Sequence, residues 1–174
     1  SGSNVVADPY SGLARGANAV DLQTKRSDES YVARGAMSVV IGGEDNRTSL
    51  TSSRVAVVGG YNNIGTSSNG FLGGGSNNNV GDTNAGILAG TGNVASEPSA
   101  TVIGGDNNVA NGTASIVGGT GANAQHAGAF VFADSSGSTW QSNGADTFNM
   151  YVGNGVYVSK RKVFNGDGSL PDDF

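Results

Sequence analysis

The sequence predicts an all-β fold, a parallel β-roll or β-solenoid built from coils of about 15 residues. Three observations indicate it. Glycine accounts for 30 of the 174 residues but shows no Gly-X-Y period, which excludes collagen. Two apolar residues followed by a Gly-Gly-like pair recur at a short, steady interval, and Asn-rich segments follow most copies. The low charged fraction of 13% also disfavours a helical bundle held by ion pairs.

The first residue of each Gly-Gly-like pair marks one copy of the repeat. Successive marks are 17, 15, 15, 15, 14 and 15 residues apart, which is much shorter than a helical repeat and fits one coil of a β-solenoid. The seven marks are Gly42, Gly59, Gly74, Ala89, Gly104, Gly118 and Ala133.

The strand before each mark predicts one buried column and one column that needs a partner. Residues two positions before the mark are all aliphatic, and those one position before it are nearly as apolar. Alternate strand residues point to opposite faces, and a thin coil covers only one of them. The second column therefore predicts an oligomer. The predicted interior residues are Val40, Val57, Leu72, Ile87, Val102, Ile116 and Val131. The predicted interface residues are Ile41, Val58, Leu88, Ile103, Val117 and Phe132.

A second, weaker strand is predicted after each Asn-rich corner, where Gly and Asn supply positive-φ conformations. These strands centre on Ile64, Val80, Val94, Val109 and Ala124.

The repeat divides the chain into four segments. Residues 1–36 form an entry segment that leads into the first full coil and can contribute an imperfect coil itself, and residues 37–134 form the β-roll. In the capping segment 135–158, TFNMYV and VYVSK flank Gly-Asn-Gly and predict a β-hairpin. Residues 159–174 form an exit tail.

Composition excludes several classes of function. The absence of cysteine excludes disulfides and thiolate metal sites, and the net charge of −5 argues against binding to nucleic acid. No apolar run is long enough for membrane insertion. The coil region lacks a matched pair of acids, and His126 is the sole histidine, so we expect no catalytic residues, no metal and no cofactor.

An aromatic residue beside several amides is the arrangement that best suits binding of sugar hydroxyls. The candidate glycan-binding residues are Tyr61, Asn62, Asn63, Asn77, Asn78 and Trp140. Structural roles are the alternative: the asparagines adopt left-handed backbone or stack into a hydrogen-bonded ladder, and Trp140 packs in the core of the cap.

Three stretches together resemble a known family of fibre modules. They are RGANAVDLQTKR, the coils containing SVVIGG and ATVIGG, and GAFVFADSSGSTWQSNGADTFNMYVGNGVYV. Over residues 11–158 the chain resembles the YadA-like head modules of trimeric autotransporter adhesins and similar modules of bacteriophage tail fibres. The family pattern SVAIG is matched best at 38–42, 55–59 and 114–118.

The resemblance implies a left-handed roll and a parallel homotrimer, located outside the cell on a virion tail fibre or a bacterial surface. The function it implies is non-enzymatic attachment to a host cell-surface glycan. One alternative is a rigid fibre spacer without a ligand. A polysaccharide-degrading tailspike domain is less favoured, because the acids it needs are missing.

Overall fold

A computed structural model of the chain describes residues 14–134, 140–158, 161–164 and 169. Across these residues the chain winds as a parallel β-solenoid, since successive strands alternate between two sheets and pair with the strands of the next coil. The predicted all-β solenoid with coils about 15 residues apart is confirmed.

Most strands are only two residues long, so a typical strand directs one side chain inward and one outward. In chain order the strands of the described residues are β1 (Val20–Asp21), β2 (Val39–Val40), β3 (Arg47–Thr48), β4 (Ala56–Val57), β5 (Ile64–Gly65), β6 (Phe71–Leu72), β7 (Asn79–Val80), β8 (Gly86–Ile87), β9 (Val94–Ala95), β10 (Thr101–Asp106), β11 (Val109–Ala110), β12 (Ile116–Thr120), β13 (Ala122–Ala124), β14 (Phe130–Ala133), β15 (Trp140–Gln141), β16 (Phe148–Tyr151), β17 (Val156–Val158) and β18 (Arg161–Phe164).

The part of the chain that the structure describes contains a nine-stranded sheet, a seven-stranded sheet and one antiparallel strand pair. The nine-stranded sheet has the order β1-β2-β4-β6-β8-β10-β12-β14-β16. The seven-stranded sheet has the order β15-β13-β11-β9-β7-β5-β3. Every pairing within these two sheets is parallel. The coil sheets therefore extend past both ends of residues 37–134.

The core is a column of aliphatic side chains from the nine-stranded sheet. Each member is fully buried. The sequence predicted the buried residue correctly in every coil of the column except one. The column consists of Val40, Val57, Leu72, Ile87, Val102, Val117 and Val131.

The prediction that Ile116 points inward and Val117 outward is wrong. Val102 pairs with Val117, but three residues later Gly105 pairs with Gly119, so β10 carries one residue more than β12. This irregularity lies between the core residue and the glycine pair, and counting back from the glycines therefore misplaces the strand by one position. Ile116 is exposed as a result, and Val117 enters the core.

Small residues from the seven-stranded sheet face the aliphatic column across the thin coil. The inward positions alternate with half-buried outward positions, which include Ile64, Val94 and Val109. Of the residues on which the second strands were predicted to centre, only Val80 and Ala124 point inward. The inward residues are Thr48, Gly65, Val80, Ala95, Ala110 and Ala124.

A ladder of buried asparagines joins the coils at one corner. The Asn ladder comprises Asn46, Asn63, Asn78, Asn93 and Asn108, all fully buried. In a typical rung, the Asn78 side-chain oxygen accepts a hydrogen bond from the Asn93 N–H at 3.0 Å. The Asn78 Nδ2 donates to the carbonyls of Gly74 at 3.0 Å and Gly90 at 2.8 Å, one in its own coil and one in the next. Each rung therefore fixes the position of the following coil.

The segment before the first full coil continues the Asn ladder with a glutamine. The Oε1 of Gln23 accepts from the Asn46 N–H at 2.9 Å, and its Nε2 donates to the carbonyls of Asn46 at 3.0 Å and Tyr31 at 2.6 Å. Together with the pairing of β1 and β2, these hydrogen bonds show that the entry segment contributes a coil.

The predicted hairpin around Gly153-Asn154-Gly155 is wrong in its pairing. β16 lies parallel to β14 as a further strand of the nine-stranded sheet. The antiparallel pair is formed one strand later, by β17 and β18. The backbone of β16 pairs with β14 in the preceding coil, and β17 pairs with β18 instead of with β16. The turn after β16 leads the chain out of the sheet.

Replacing one rung of the Asn ladder tests its contribution to stability. Asn78→Ala leaves the Asn93 N–H without its side-chain acceptor, and we expect the free energy of unfolding to fall by about 2–4 kcal/mol. Asn79→Ala is the control, because the half-buried Asn79 lies outside the ladder and its buried Oδ1 has no hydrogen-bond partner among the described residues. We expect a change within about 0.5 kcal/mol for the control in urea unfolding. Equal losses in both variants would contradict a special role for the ladder.

A pair of glycine substitutions separates backbone strain from steric overlap. Gly42 and Gly75 both have positive φ, +74° and +86°. A Cβ on Gly42 meets no atom within 4 Å, whereas one on Gly75 overlaps the Gly90 backbone. We expect Gly42→Ala to cost about 1–2 kcal/mol and Gly75→Ala about 3 kcal/mol or more. Thermal unfolding of the two variants measures the difference, and a smaller loss for Gly75→Ala would refute the close coil contact.

Candidate assembly and ligand-binding surfaces

The outer side of the nine-stranded sheet is apolar. Each core residue of this sheet is followed by an outward residue, and these outward residues form a column along successive coils. Six large members of the column are between 38% and 50% exposed, and the three remaining rows carry Leu22, which is 37% exposed, Gly73 and Gly118. These six are Ile41, Val58, Leu88, Ile103, Phe132 and Met150. Five of them were predicted as interface residues.

A second apolar column lies on the same face, formed by the residues before the core positions. Phe71, Ile116 and Phe148 are its exposed large members. Phe130 stacks on Phe148 with ring centroids 4.9 Å apart, which joins the last two rows. The two columns together make a continuous apolar surface on one side of the solenoid, here called the apolar face.

The remaining predicted interface residue, Val117, does not belong to the apolar face. Its side chain is fully buried in the core, and Gly118 occupies the outward position of that row. The missing side chain leaves a shallow depression of about 390 Å³ between Ile103 and Phe132. A Cβ on Gly118 would lie 2.9 Å from the Ile103 side chain, so Ile103 leans into this space.

The candidate glycan site at Tyr61 lies at the corner that the Asn ladder stabilises. Tyr61 is 49% exposed and lies in a row of bridged residues that begins with Lys25 and Glu44. Beside it, the Asn62 Nδ2 donates to the Asn77 Oδ1 at 2.8 Å. The hydrogen bond from the Lys25 Nζ to Glu44, 2.6 Å long, and the charge of that carboxylate raise the pKa of Lys25.

Asn63 and Asn78 are excluded as ligand-binding residues. Both belong to the Asn ladder, where their amides are fully buried and bonded to backbone groups. Asn62 and Asn77 have positive φ, +50° and +55°. The left-handed backbone and the hydrogen-bonded ladder, the two structural roles expected for asparagine, therefore fall on adjacent residues. Only the first residue of each pair, the one with positive φ, is accessible.

Trp140 is half-buried and packs against the core. Its ring stacks on Tyr151 with centroids 4.6 Å apart, and the Tyr151 hydroxyl donates to the Gln141 carbonyl at 2.6 Å. One face of the indole is occupied by this contact, which favours the structural role of Trp140. The Tyr157 side chain lies outside the described residues.

Among the titratable groups of the described residues, the buried Asp21 carboxylate lies 3.5 Å from the Arg15 Nε and 3.7 Å from the Arg26 Nη1. The Asp134 Oδ2 accepts from the Gly153 N–H at 2.7 Å, and the Nδ1 of His126 lies 2.7 Å from the Ser142 hydroxyl. Asp146 lies at an exposed turn with φ +55°. Within the described ranges, no three His, Asp or Glu side chains are grouped so as to hold a metal ion. No described helix is long and apolar enough to span a membrane.

No protein-family model, curated protein or solved structure matches this chain. The functional assignment therefore depends on the surfaces described above.

Proposed function

We propose that this chain is a non-enzymatic module of an extracellular fibre, assembled as a parallel homotrimer that attaches to a host cell-surface glycan. The observation that carries the proposal is the apolar face, which runs along the whole nine-stranded sheet at about half exposure. Monomeric proteins rarely expose a continuous apolar stripe of this kind, whereas interfaces between subunits are built from one.

A second copy of the chain is the occupant that fits the apolar face best. The outward positions of both columns carry no charged residue, which disfavours a charged partner. Their side chains repeat with the coil spacing, so a parallel copy meets them row by row in the same register. The resemblance to YadA-like heads implies three copies around one axis and a left-handed coil. The segment that follows the β-roll is proposed as its cap, because a solenoid needs its last coil covered.

Attachment to a glycan is supported by the corner that carries Tyr61. An exposed aromatic ring beside the Asn62 and Asn77 amides suits the apolar and hydroxyl faces of a sugar. The corner lies between the two sheets, so trimer formation through the apolar face leaves it in contact with solvent.

A rigid spacer without a ligand is the alternative function. It is favoured by the use of the corner amides within the fold, since Asn62 bonds Asn77 and the neighbouring asparagines are buried. Fibre localisation and trimer assembly are common to both proposals, and only the ligand distinguishes them.

Assembly is tested with two charge substitutions in one coil. Ile103 and Val109 are outward apolar residues on opposite sheets. We expect Ile103→Asp to convert the trimer into monomers, because three carboxylates would be buried together, and Val109→Asp to remain trimeric. Multi-angle light scattering measures the mass of each variant. A wild-type protein that is a stable folded monomer at micromolar concentration would end the trimer proposal.

Ligand binding is tested by a glycan array with the assembled protein. We expect Tyr61→Ala to reduce binding about fivefold to tenfold through loss of ring stacking, and Tyr61→Phe to retain most of it. Circular dichroism and light scattering verify that both variants fold and assemble. An array on which no host glycan binds the trimer would support the spacer instead.

A further inference from the structure

The outer side of the seven-stranded sheet contains a polar hollow that the sequence patterns did not indicate. It has a volume of about 290 Å³ and lies at the β3 edge of the sheet, on the side opposite the apolar face. We call it the arginine hollow, and its lining residues are Ser30, Arg34, Arg47, Thr48, Ser49, Ile64 and Thr66.

Strand register explains why these residues meet. Ala33 pairs with Thr48, and Thr48 pairs with Gly65, all three buried. The residues that follow them, Arg34, Ser49 and Thr66, therefore form one outward column with rows about 4.8 Å apart. Arg47 and Ile64 precede the same buried positions and form the neighbouring outward column. The hollow lies between the two columns, and one chain supplies all of its residues.

Two arginines give the hollow a positive charge. Arg34 and Arg47 make no ion pair with any carboxylate in the described part of the chain. The Arg47 guanidinium lies 5.0 Å from the centre of the Tyr31 ring, which holds its position. Among the described residues, the buried Arg34 Nε has no hydrogen-bond partner.

The Asp28 carboxylate lies within the electrostatic range of Arg47. Hydrogen bonds from the side chain and the N–H of Ser30, and then the charge of Arg47, lower the pKa of Asp28. Asp28 is therefore ionised at neutral pH, and the hollow keeps a local excess of positive charge on a chain whose net charge is −5. A small cationic hollow on an acidic protein suits a single anionic group better than a polyanion.

We infer that the arginine hollow binds the anionic group, carboxylate or sulfate, of an acidic sugar. Guanidinium groups bind such groups through paired, charge-assisted hydrogen bonds. The hydroxyls of Ser49 and Thr66 and the apolar Ile64 side chain lie where the sugar ring would follow. The inference rests on the proposed glycan attachment for its biological role, and the hollow stays accessible when the apolar face is covered.

The test measures binding of three soluble sugars to the full chain by isothermal titration calorimetry. The probes are sialyllactose, lactose 6-sulfate and lactose. We expect one or both acidic sugars to bind, more weakly at higher salt, and lactose to bind at least about tenfold more weakly. Binding of sialyllactose alone shows that the hollow selects a carboxylate. Binding of both acidic sugars shows that it accepts a carboxylate or a sulfate. Equal binding of lactose, or no binding of an acidic sugar, overturns the inference.

Single arginine substitutions locate the site. Arg34→Gln and Arg47→Gln should each weaken binding of the acidic sugar about tenfold, while Arg54→Gln should not change it. Arg54 is the matched control, because it is exposed and its Nε donates to Asn69 at 2.7 Å, away from the hollow. Thr66→Tyr, which fills the hollow without removing charge, should also abolish binding. Wild-type affinity in folded Arg34→Gln and Arg47→Gln variants would contradict the assignment.

The outcome is separable from that of the proposed function. Because the hollow belongs to one chain, acidic-sugar binding is measurable in the monomeric Ile103→Asp variant even if the wild type never assembles. Conversely, a trimer that binds neutral glycans through Tyr61 but does not bind acidic sugars would support the attachment function. That result would contradict only the inference about the arginine hollow.

Discussion

The rest of the structure depends on the buried Asn ladder. Each ladder amide accepts an N–H of the next coil, which belongs to the next asparagine or, for Asn108, to Ala122, and donates to a carbonyl of its own coil and one of the following coil. Buried polar groups with this many partners allow one arrangement and penalise any shift, because a displaced rung leaves several groups unsatisfied. The ladder needs backbone close behind it, which explains the glycines at Gly75 and Gly90. Stacking of the coils is therefore set by polar bonds at one corner.

Fixed stacking makes the surfaces of the solenoid regular. The strands are short and the coil is thin, so the interior accepts one aliphatic column faced by alanine, glycine and valine. Such a core buries little apolar surface per residue, and the outward columns on the nine-stranded sheet remain half exposed. Burial of these columns against other copies would supply the apolar area that the single chain lacks. In the proposed trimer, assembly and stability would be linked through this face.

The two sheets carry different kinds of surface. The apolar face has no charged outward residue, whereas the outer side of the seven-stranded sheet carries Arg47 and the hydroxyls near it. The corner with Tyr61 lies between them. Because these surfaces are on separate sides of the coil, one side is available for self-association while the others face solvent and any ligand.

The sequence by itself determined the coil period, the parallel β-solenoid and most of the core and of the apolar column, because short strands repeat their apolar residues at constant spacing. It did not determine which neighbour is buried where the spacing changes: only the pairing of Val102 with Val117 placed Val117 inside. It also left open which asparagine of each pair is buried, since both roles use the same residue type. The arginine hollow joins Arg34 and Arg47 from different coils, and contacts between coils follow from the stacking, which the linear pattern does not contain.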